Sequence, residues 1–257
     1  MSYKINFSRN LARIDSSDVF DSNPITVPFY EVDYVCKNPS LHEEDAEAKF
    51  QVIKGILKYL IEIAKPKTIA DVGCGSCLVI TKLLDYLHTE VDPEISGVGI
   101  DVSARILLHS EKHPSLVKLR ADGSDIPLER KSISLTFCID ILEHVGDPKL
   151  LLAEVARISH FVILKVPLEL SLYTTLKGGG SRLDKLSRQY GHMHHFDRQS
   201  LLRLITPYFE IIHEGYDVIP NRIPMLDLFQ RLLISFKLKR LFRLVFGGFI
   251  ILLVKSR

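Results

Sequence analysis

The sequence predicts an α/β fold, doubly wound around a mostly parallel, seven-stranded sheet. Apolar runs of strand length alternate with segments of helical periodicity along most of the chain. Those strands are apolar on both faces, as a sheet covered by helices on each side requires. The 257 residues suffice for one well-filled domain with decoration and are short for two. A composition of 46% hydrophobic and 25% charged residues is ordinary globular material, and a net charge of +2 supplies no global field that calls for nucleic acid. Cys36, Cys74, Cys77 and Cys138 have no disulfide-framework spacing and read as reduced thiols of a cytoplasmic protein. The opening MSYKINFSRN lacks the apolar core of a signal peptide, and the longest apolar run, 247–254, falls far short of the ~20 residues a membrane span needs.

Residues 1–42 show no periodicity and contain Pro24, Pro28 and Pro39, which predicts an irregular N-terminal arm ahead of a domain over 43–257. Ser40 and Glu43 have capping-box spacing. They precede a helix with Phe50, Ile53, Ile56, Leu57, Leu60, Ile61 and Ala64 on one face, ended by Pro66. Strands follow at 68–72, 95–100, 116–120, 134–139 and 161–166, with helices at 75–87, 104–113 and 149–158 between them. After a polar, Gly-rich stretch come a helix at 199–205 and strands at 209–218 and 249–254.

Four motifs carry the chemistry. TIADVGCGS (68–76) is a strand, an acid, then Gly73 and Gly75 opening a helix, a turn in which bare backbone and helix N–H groups can meet a ligand. A nicotinamide site would want a third glycine where Leu78 stands, and Asp71 beside the loop repels a pyrophosphate while welcoming an ammonium or sulfonium. GVGIDV (97–102) puts Asp101 at a strand end one βα unit later, where a carboxylate can accept both hydroxyls of a ribose. ADGSDIP (121–127) is an acidic turn, and FCIDILEHVGDP (137–148) follows the fourth predicted strand of the domain.

In this order and spacing the four resemble the class I S-adenosylmethionine-dependent methyltransferases, especially the small-molecule type 11/12-like group that shares an LEHV-x-DP segment. The resemblance covers about residues 45–167 and continues loosely through 191–204. It implies a Rossmann-like methyltransferase fold whose two final strands form an antiparallel hairpin. It also implies S-adenosylmethionine as cofactor and a small-molecule methyl acceptor. It places Asp71, Gly73, Cys74 and Gly75 at the methionine end, Asp101 and Val102 at the ribose, Asp122 and Gly123 at the adenine, and Cys138, Ile139 and Asp140 at the methyl-transfer mouth. Cys77 stands where the family often has a glycine, and Ser134 where it often has an aspartate.

Asp140, Glu143 and His144 also look similar to a cluster that binds a divalent metal in ubiquinone-pathway O-methyltransferases and small-RNA terminal methylases. The expectation here is a metal-free cluster, because metal geometry is exacting and the same letters occur in relatives without metal. GHMHHFD (191–197) lies where substrates enter this fold class, so one of His192, His194 and His195 is a candidate general base. Segments 170–200 and 220–246 read as lids or substrate insertions. In the second, the apolar stripe changes sides near Ser235, which predicts two short helices whose first packs on the domain and whose second lies over the pocket or at a partner surface. The basic second half, 234–246, could instead make peripheral membrane contact.

The reaction expected is methyl transfer to an oxygen or nitrogen of a small metabolite. A basic–aromatic track and an Asp/Asn-Pro-Pro-Tyr loop are both missing, so nucleic acid is the weaker acceptor class. The alternatives are a non-catalytic, cofactor-binding regulatory protein and a membrane-surface enzyme acting on lipid or polyprenyl compounds.

Overall fold

The computed structural model describes residues 19–21, 36, 43–176, 178–218, 224–235 and 238–257. Strands β1 (Val19–Asp21), β2 (Thr68–Val72), β3 (Ser96–Asp101), β4 (Leu116–Arg120), β5 (Ile133–Ile139), β6 (Ser159–Pro167), β7 (Phe209–Asp217) and β8 (Phe249–Ser256) form one sheet in the order β1-β4-β3-β2-β5-β6-β8-β7. The first six run parallel, and β8 is antiparallel to both β6 and β7. All seven predicted strands are present. The eighth, β1, lies in the N-terminal arm predicted to be irregular, and three residues are too few to show a period.

Helices α1 (Ala46–Ala64) and α2 (Leu78–Glu90) cover one face, burying Ile53, Leu57, Leu60, Ile80, Leu83, Leu84 and Leu87 against Ile69, Leu135, Phe137 and Ile163. Helix α3 (Ala104–His109) adds Leu107 to that side. On the other face α4 (Pro148–Ile158) and α7 (Arg198–Ile205) bury Leu151, Leu152, Val155, Leu201 and Ile205 against alternate residues of the same strands. This two-sided burial explains why the strands read as continuous apolar runs.

The helix starts follow local chemistry. Ser103 Oγ accepts the Ile106 N–H at the start of α3, and Asp147 accepts the Lys149 N–H with Pro148 in the first turn of α4. Helix α2 begins at Leu78, later than predicted, because Gly73, Gly75 and Cys77 all take left-handed backbone (φ +77°, +51° and +60°) and hold the chain out of the helix. Helix α3 ends at His109, before the Pro114 approach, and the buried Lys118 ammonium donates to the carbonyls of Leu107 and Ser110. Ser40 of the capping signal lies outside the described residues, and Glu43 sits in the 3-10 turn Glu43–Asp45.

Helices α5 (Leu172–Leu176) and α6 (Gly180–Tyr190) occupy the stretch read as polar loop. In α6 the half-buried Leu183, Leu186 and Tyr190 recur at three- and four-residue intervals, an apolar stripe thin enough to be masked by its polar neighbours. Helices α8 (Pro224–Ser235) and α9 (Lys239–Phe246) confirm the break at Ser235. The packing expected of α8 holds at Leu233, which is buried, and at Arg231, which is exposed, but the buried face is rotated away from the rest of the apolar stripe. Gln230 is 1% exposed and Leu233 6%, whereas Leu228, Phe229 and Leu232 are 58%, 50% and 42% exposed.

Candidate functional site

A cavity of about 290 Å³ opens at the carboxyl ends of β2, β3 and β5, where the strand order reverses. Register brings its acids together, since Asp71 pairs with Gly99 on one side and Phe137 on the other, and Asp101 pairs with Arg120. Asp71, Gly73, Cys74, Gly75, Asp101, Val102, Asp122, Gly123 and Ile139 all line it, as the sequence reading expects. Cys138 does not. Its neighbours Ile139 and Asp140 face the cavity, but strand alternation turns the Cys138 side chain into the opposite core, where burial pushes its thiol well up.

The glycine loop is stitched to β3. The N–H groups of Gly73 and Cys74 donate to the Ile100 carbonyl at 2.8 and 3.1 Å, and Gly75 N–H donates to Asp101 Oδ2 at 3.0 Å. The three loop amides are therefore engaged within the protein, and the turn is not an anion cradle of the phosphate-binding kind. A Cβ on Gly73 would stand 2.2 Å from Ile141 Cδ1, so this position admits no side chain without displacing a wall of the cavity. Cys74 and Cys77 are free thiols 3.4 Å apart.

Asp71 is the informative group. It is 3% exposed, and its Oδ1 has no hydrogen-bond partner. Burial above all, and then the charge of Asp101, raise its carboxyl to about 7 against the pull of Lys49. A buried acceptor without a donor beside a cavity is a place for a ligand cation, and the ammonium of S-adenosylmethionine meets that requirement. Asp101 fits the ribose. Its two oxygens already accept from Gly75 N–H and Ser103 N–H at 3.0 Å each, which fixes the carboxylate at the cavity edge. Asp122 Oδ1 accepts from Ser124 N–H and Oγ–H at 2.8 and 2.7 Å. Glu154 and Arg157 of α4 then hold the same turn by its Ile126 amide and the Ile126 and Leu128 carbonyls.

Opposite the loop, Asp140 is bound by Lys165 at 2.7 and 2.8 Å and by Lys49 at 3.2 Å. Burial pushes Asp140 up, but the two ammonium groups outweigh it and hold the carboxyl below its ordinary range. Asp140 is thus committed to two cations. Glu143, His144 and His192 do converge, with one ligand atom of each lying within 4.8 Å of the others. Glu143 is buried, its Oε2 lacks a partner, and burial together with the Asp140 charge raises its carboxyl well above the ordinary range.

The 191–197 loop docks on this cluster, with the N–H groups of Met193 and His194 donating to the Glu143 carbonyl. The three histidines separate in role. His194 Nε2 bonds the Val145 carbonyl and fastens the loop. His192 Nδ1 lies 2.8 Å from Glu169 Oε1, and His195 Nδ1 is bonded to Glu169 Oε2. Burial raises Glu169, but these two histidines outweigh it and hold the carboxylate low.

Lys49, Lys165 and Glu169 are the site residues that sequence reasoning does not single out. Lys165, a cation inside an otherwise apolar strand, is a legible signal. Lys49 and Glu169 join the site only through tertiary packing. No described residue of 220–246 lines the cavity, and of the described residues of 170–200 Met193 does.

Residues 70–160 match the family model for the methyltransferase domain. The chain is 28% identical over 127 residues to a small RNA 2′-O-methyltransferase of Arabidopsis thaliana, a match covering 43% of this chain and 13% of that protein's length. Among solved structures it resembles the magnesium protoporphyrin IX methyltransferase of Synechocystis PCC 6803 with bound SAH (TM-score 0.58, 12% identity, 90% of this chain and 97% of that one). It also resembles a SAM-dependent methyltransferase from Archaeoglobus fulgidus (TM-score 0.52, 16% identity, 81% and 94% covered).

Proposed function

Because residues 70–160 form a class I S-adenosylmethionine-dependent methyltransferase domain, we propose that the protein methylates an oxygen or nitrogen of a small metabolite, with His192 as the group that takes the acceptor's proton. S-adenosylmethionine, when bound, supplies an electrophilic methyl group on a sulfonium. Asp71 holds the ammonium, Asp101 the ribose, and Asp122 with Gly123 the adenine. Ile139, Ile141 and Val145 give the cavity an apolar wall beside Asp140 and His144.

The observation that carries the reading is the Glu169–His192 pair. A carboxylate on Nδ1 fixes the tautomer that leaves Nε2 as acceptor, and it stabilises the imidazolium once the proton arrives. His192 packs edge-on against His144, which lines the cavity, at 4.7 Å between ring centres. Transfer itself asks mainly for alignment of acceptor and methyl group. The proton acceptor therefore adds about 10²–10⁴-fold and not the whole acceleration.

The test is S-adenosylhomocysteine formation over a panel of phenols, carboxylic acids and amines. His192→Asn should lower kcat by about 10²-fold or more on a hydroxyl acceptor and leave cofactor affinity unchanged. A protein that binds the cofactor but turns over no acceptor on the panel would instead support the regulatory alternative.

A second reading has its own observation, the partnerless Glu143 Oε2 beside His144 and His192. Those three residues could hold a divalent cation that lowers a hydroxyl's pKa and orients it. Asp140 does not fit that set, because Lys165 and Lys49 occupy its oxygens. The metal-free reading predicts that turnover survives exhaustive chelation. Collapse with chelator and recovery with magnesium or zinc would establish the metal instead.

A further inference from the structure

We propose that the helical insertion made by α5, α6, α8 and α9 docks on an anionic bilayer surface. These helices are one body, since Phe246 of α9 packs on Tyr173 of α5 and on Phe229 of α8, and Arg182 of α6 lies over the Tyr173 ring. The body turns large apolar side chains to solvent. Leu172, Leu176, Leu228, Phe229, Leu232 and Leu241 are all between 42% and 76% exposed, although neighbouring positions such as Gln230 and Phe242 are buried. An exposed apolar group of that size on adjacent helices marks an interaction surface.

Charge chooses the occupant. Residues 170–190 and 224–246 carry nine basic residues (Lys177, Arg182, Lys185, Arg188, Arg231, Lys237, Lys239, Arg240 and Arg243) against two acids, Asp184 and Asp227. That is net +7 in a chain of net +2, so everything else is net −5. Two copies of this insertion would bring net +7 to net +7, which opposes self-pairing. Leucines interleaved with lysines and arginines match instead a surface that is apolar below a layer of negative headgroups. No helix among the described residues is long and apolar enough to cross a membrane, so the contact is peripheral.

The insertion also sits at the right end of the molecule. Helix α9 enters β8 through Gly247 and Gly248, and Leu168 N–H donates to the Gly248 carbonyl at 2.8 Å, directly after β6. A docked bilayer would thus meet the sheet at the carboxyl end of β6, the end at which the cavity opens.

The experiment is co-sedimentation of the full chain with vesicles of phosphatidylcholine mixed with phosphatidylglycerol, and of phosphatidylcholine alone. The protein is expected to pellet with the mixed vesicles and at least about tenfold less with the neutral ones or in high salt. Two variants at exposed positions, Leu228→Asp/Leu232→Asp and Lys185→Glu/Arg188→Glu, should each release it by a similar factor while binding S-adenosylhomocysteine as the unmodified chain does. Failure to pellet with mixed vesicles, or pelleting that neither variant reduces, overturns the proposal. So does a concentration-dependent dimer in lipid-free solution that Leu228→Asp/Leu232→Asp abolishes, which would make the face a self-association surface. Cofactor affinity is read separately, so failure here leaves the methyl-transfer reading untouched.

Discussion

Asp71→Asn should give a cofactor-free protein that is more stable than the unmodified chain above neutral pH and yet binds S-adenosylhomocysteine at least about thirty-fold more weakly. Both effects come from one buried carboxyl. Burial raises its pKa from the ordinary 3.8 to about 7, so the folded protein keeps a proton that the unfolded chain has already released. A group raised in the folded state contributes fully below its unfolded pKa, and that contribution is lost as pH climbs through the folded value. The window is therefore from about pH 4 to about pH 7, with a ceiling of roughly 4 kcal/mol. Asparagine has the same shape and no charge to desolvate. Thermal unfolding should then show the two proteins matched near pH 4 and the variant ahead at pH 8.

With the amino-acid end of the ligand in place, the balance at Asp71 inverts. Its ionised form gains a cationic partner, and removing one member of a buried charge pair costs about 2–5 kcal/mol. That is a loss of about thirty-fold to several thousand-fold in affinity. Calorimetry should also show affinity of the unmodified protein for S-adenosylhomocysteine rising from roughly pH 6 to pH 8, as Asp71 gives up its proton, and a flat profile in the variant. The compound 5′-methylthioadenosine has no ammonium and should bind both proteins alike. Equal loss of both ligands would mean that Asp71 supports the loop and does not meet the ammonium.

How far the site was legible in the sequence depends on whether backbone or packing places each residue. Asp71, the Gly73/Gly75 turn, Asp101 and the Asp122 turn sit at strand ends in a parallel sheet, so strand order alone gathers them. Cys138 misleads because one residue along a strand reverses the face, and the boundary of the cavity wall falls between Cys138 and Ile139. Glu169 and Lys49 come from a loop and a flanking helix, and only the docking of the 191–197 loop and of α1 gives them partners. The bend at Ser235 was legible because a helix has a fixed period. Which side of α8 would be covered was not, since a hydrophobic stripe points equally well to a core or to an external apolar surface.

Asp101→Ala should weaken adenosine, 5′-methylthioadenosine and S-adenosylhomocysteine together by at least tenfold and should lower the melting temperature as well. The ribose is common to all three ligands, and each hydrogen bond to a charged carboxylate contributes about 1.5–3 kcal/mol. The same carboxylate is also the acceptor for Gly75 N–H and Ser103 N–H, and so ties the glycine turn to the loop after β3. Its removal strands both amides, and for a domain of this size each kcal/mol lost moves the melting temperature by about 2–4 °C. The two substitutions thus leave opposite signatures. Asp71→Asn raises stability near pH 8 and discriminates among ligands by their amino-acid end, whereas Asp101→Ala lowers stability and does not discriminate. Calorimetry showing unmodified affinity for 5′-methylthioadenosine in Asp101→Ala would remove Asp101 from the ribose subsite and leave it only the loop-fastening role.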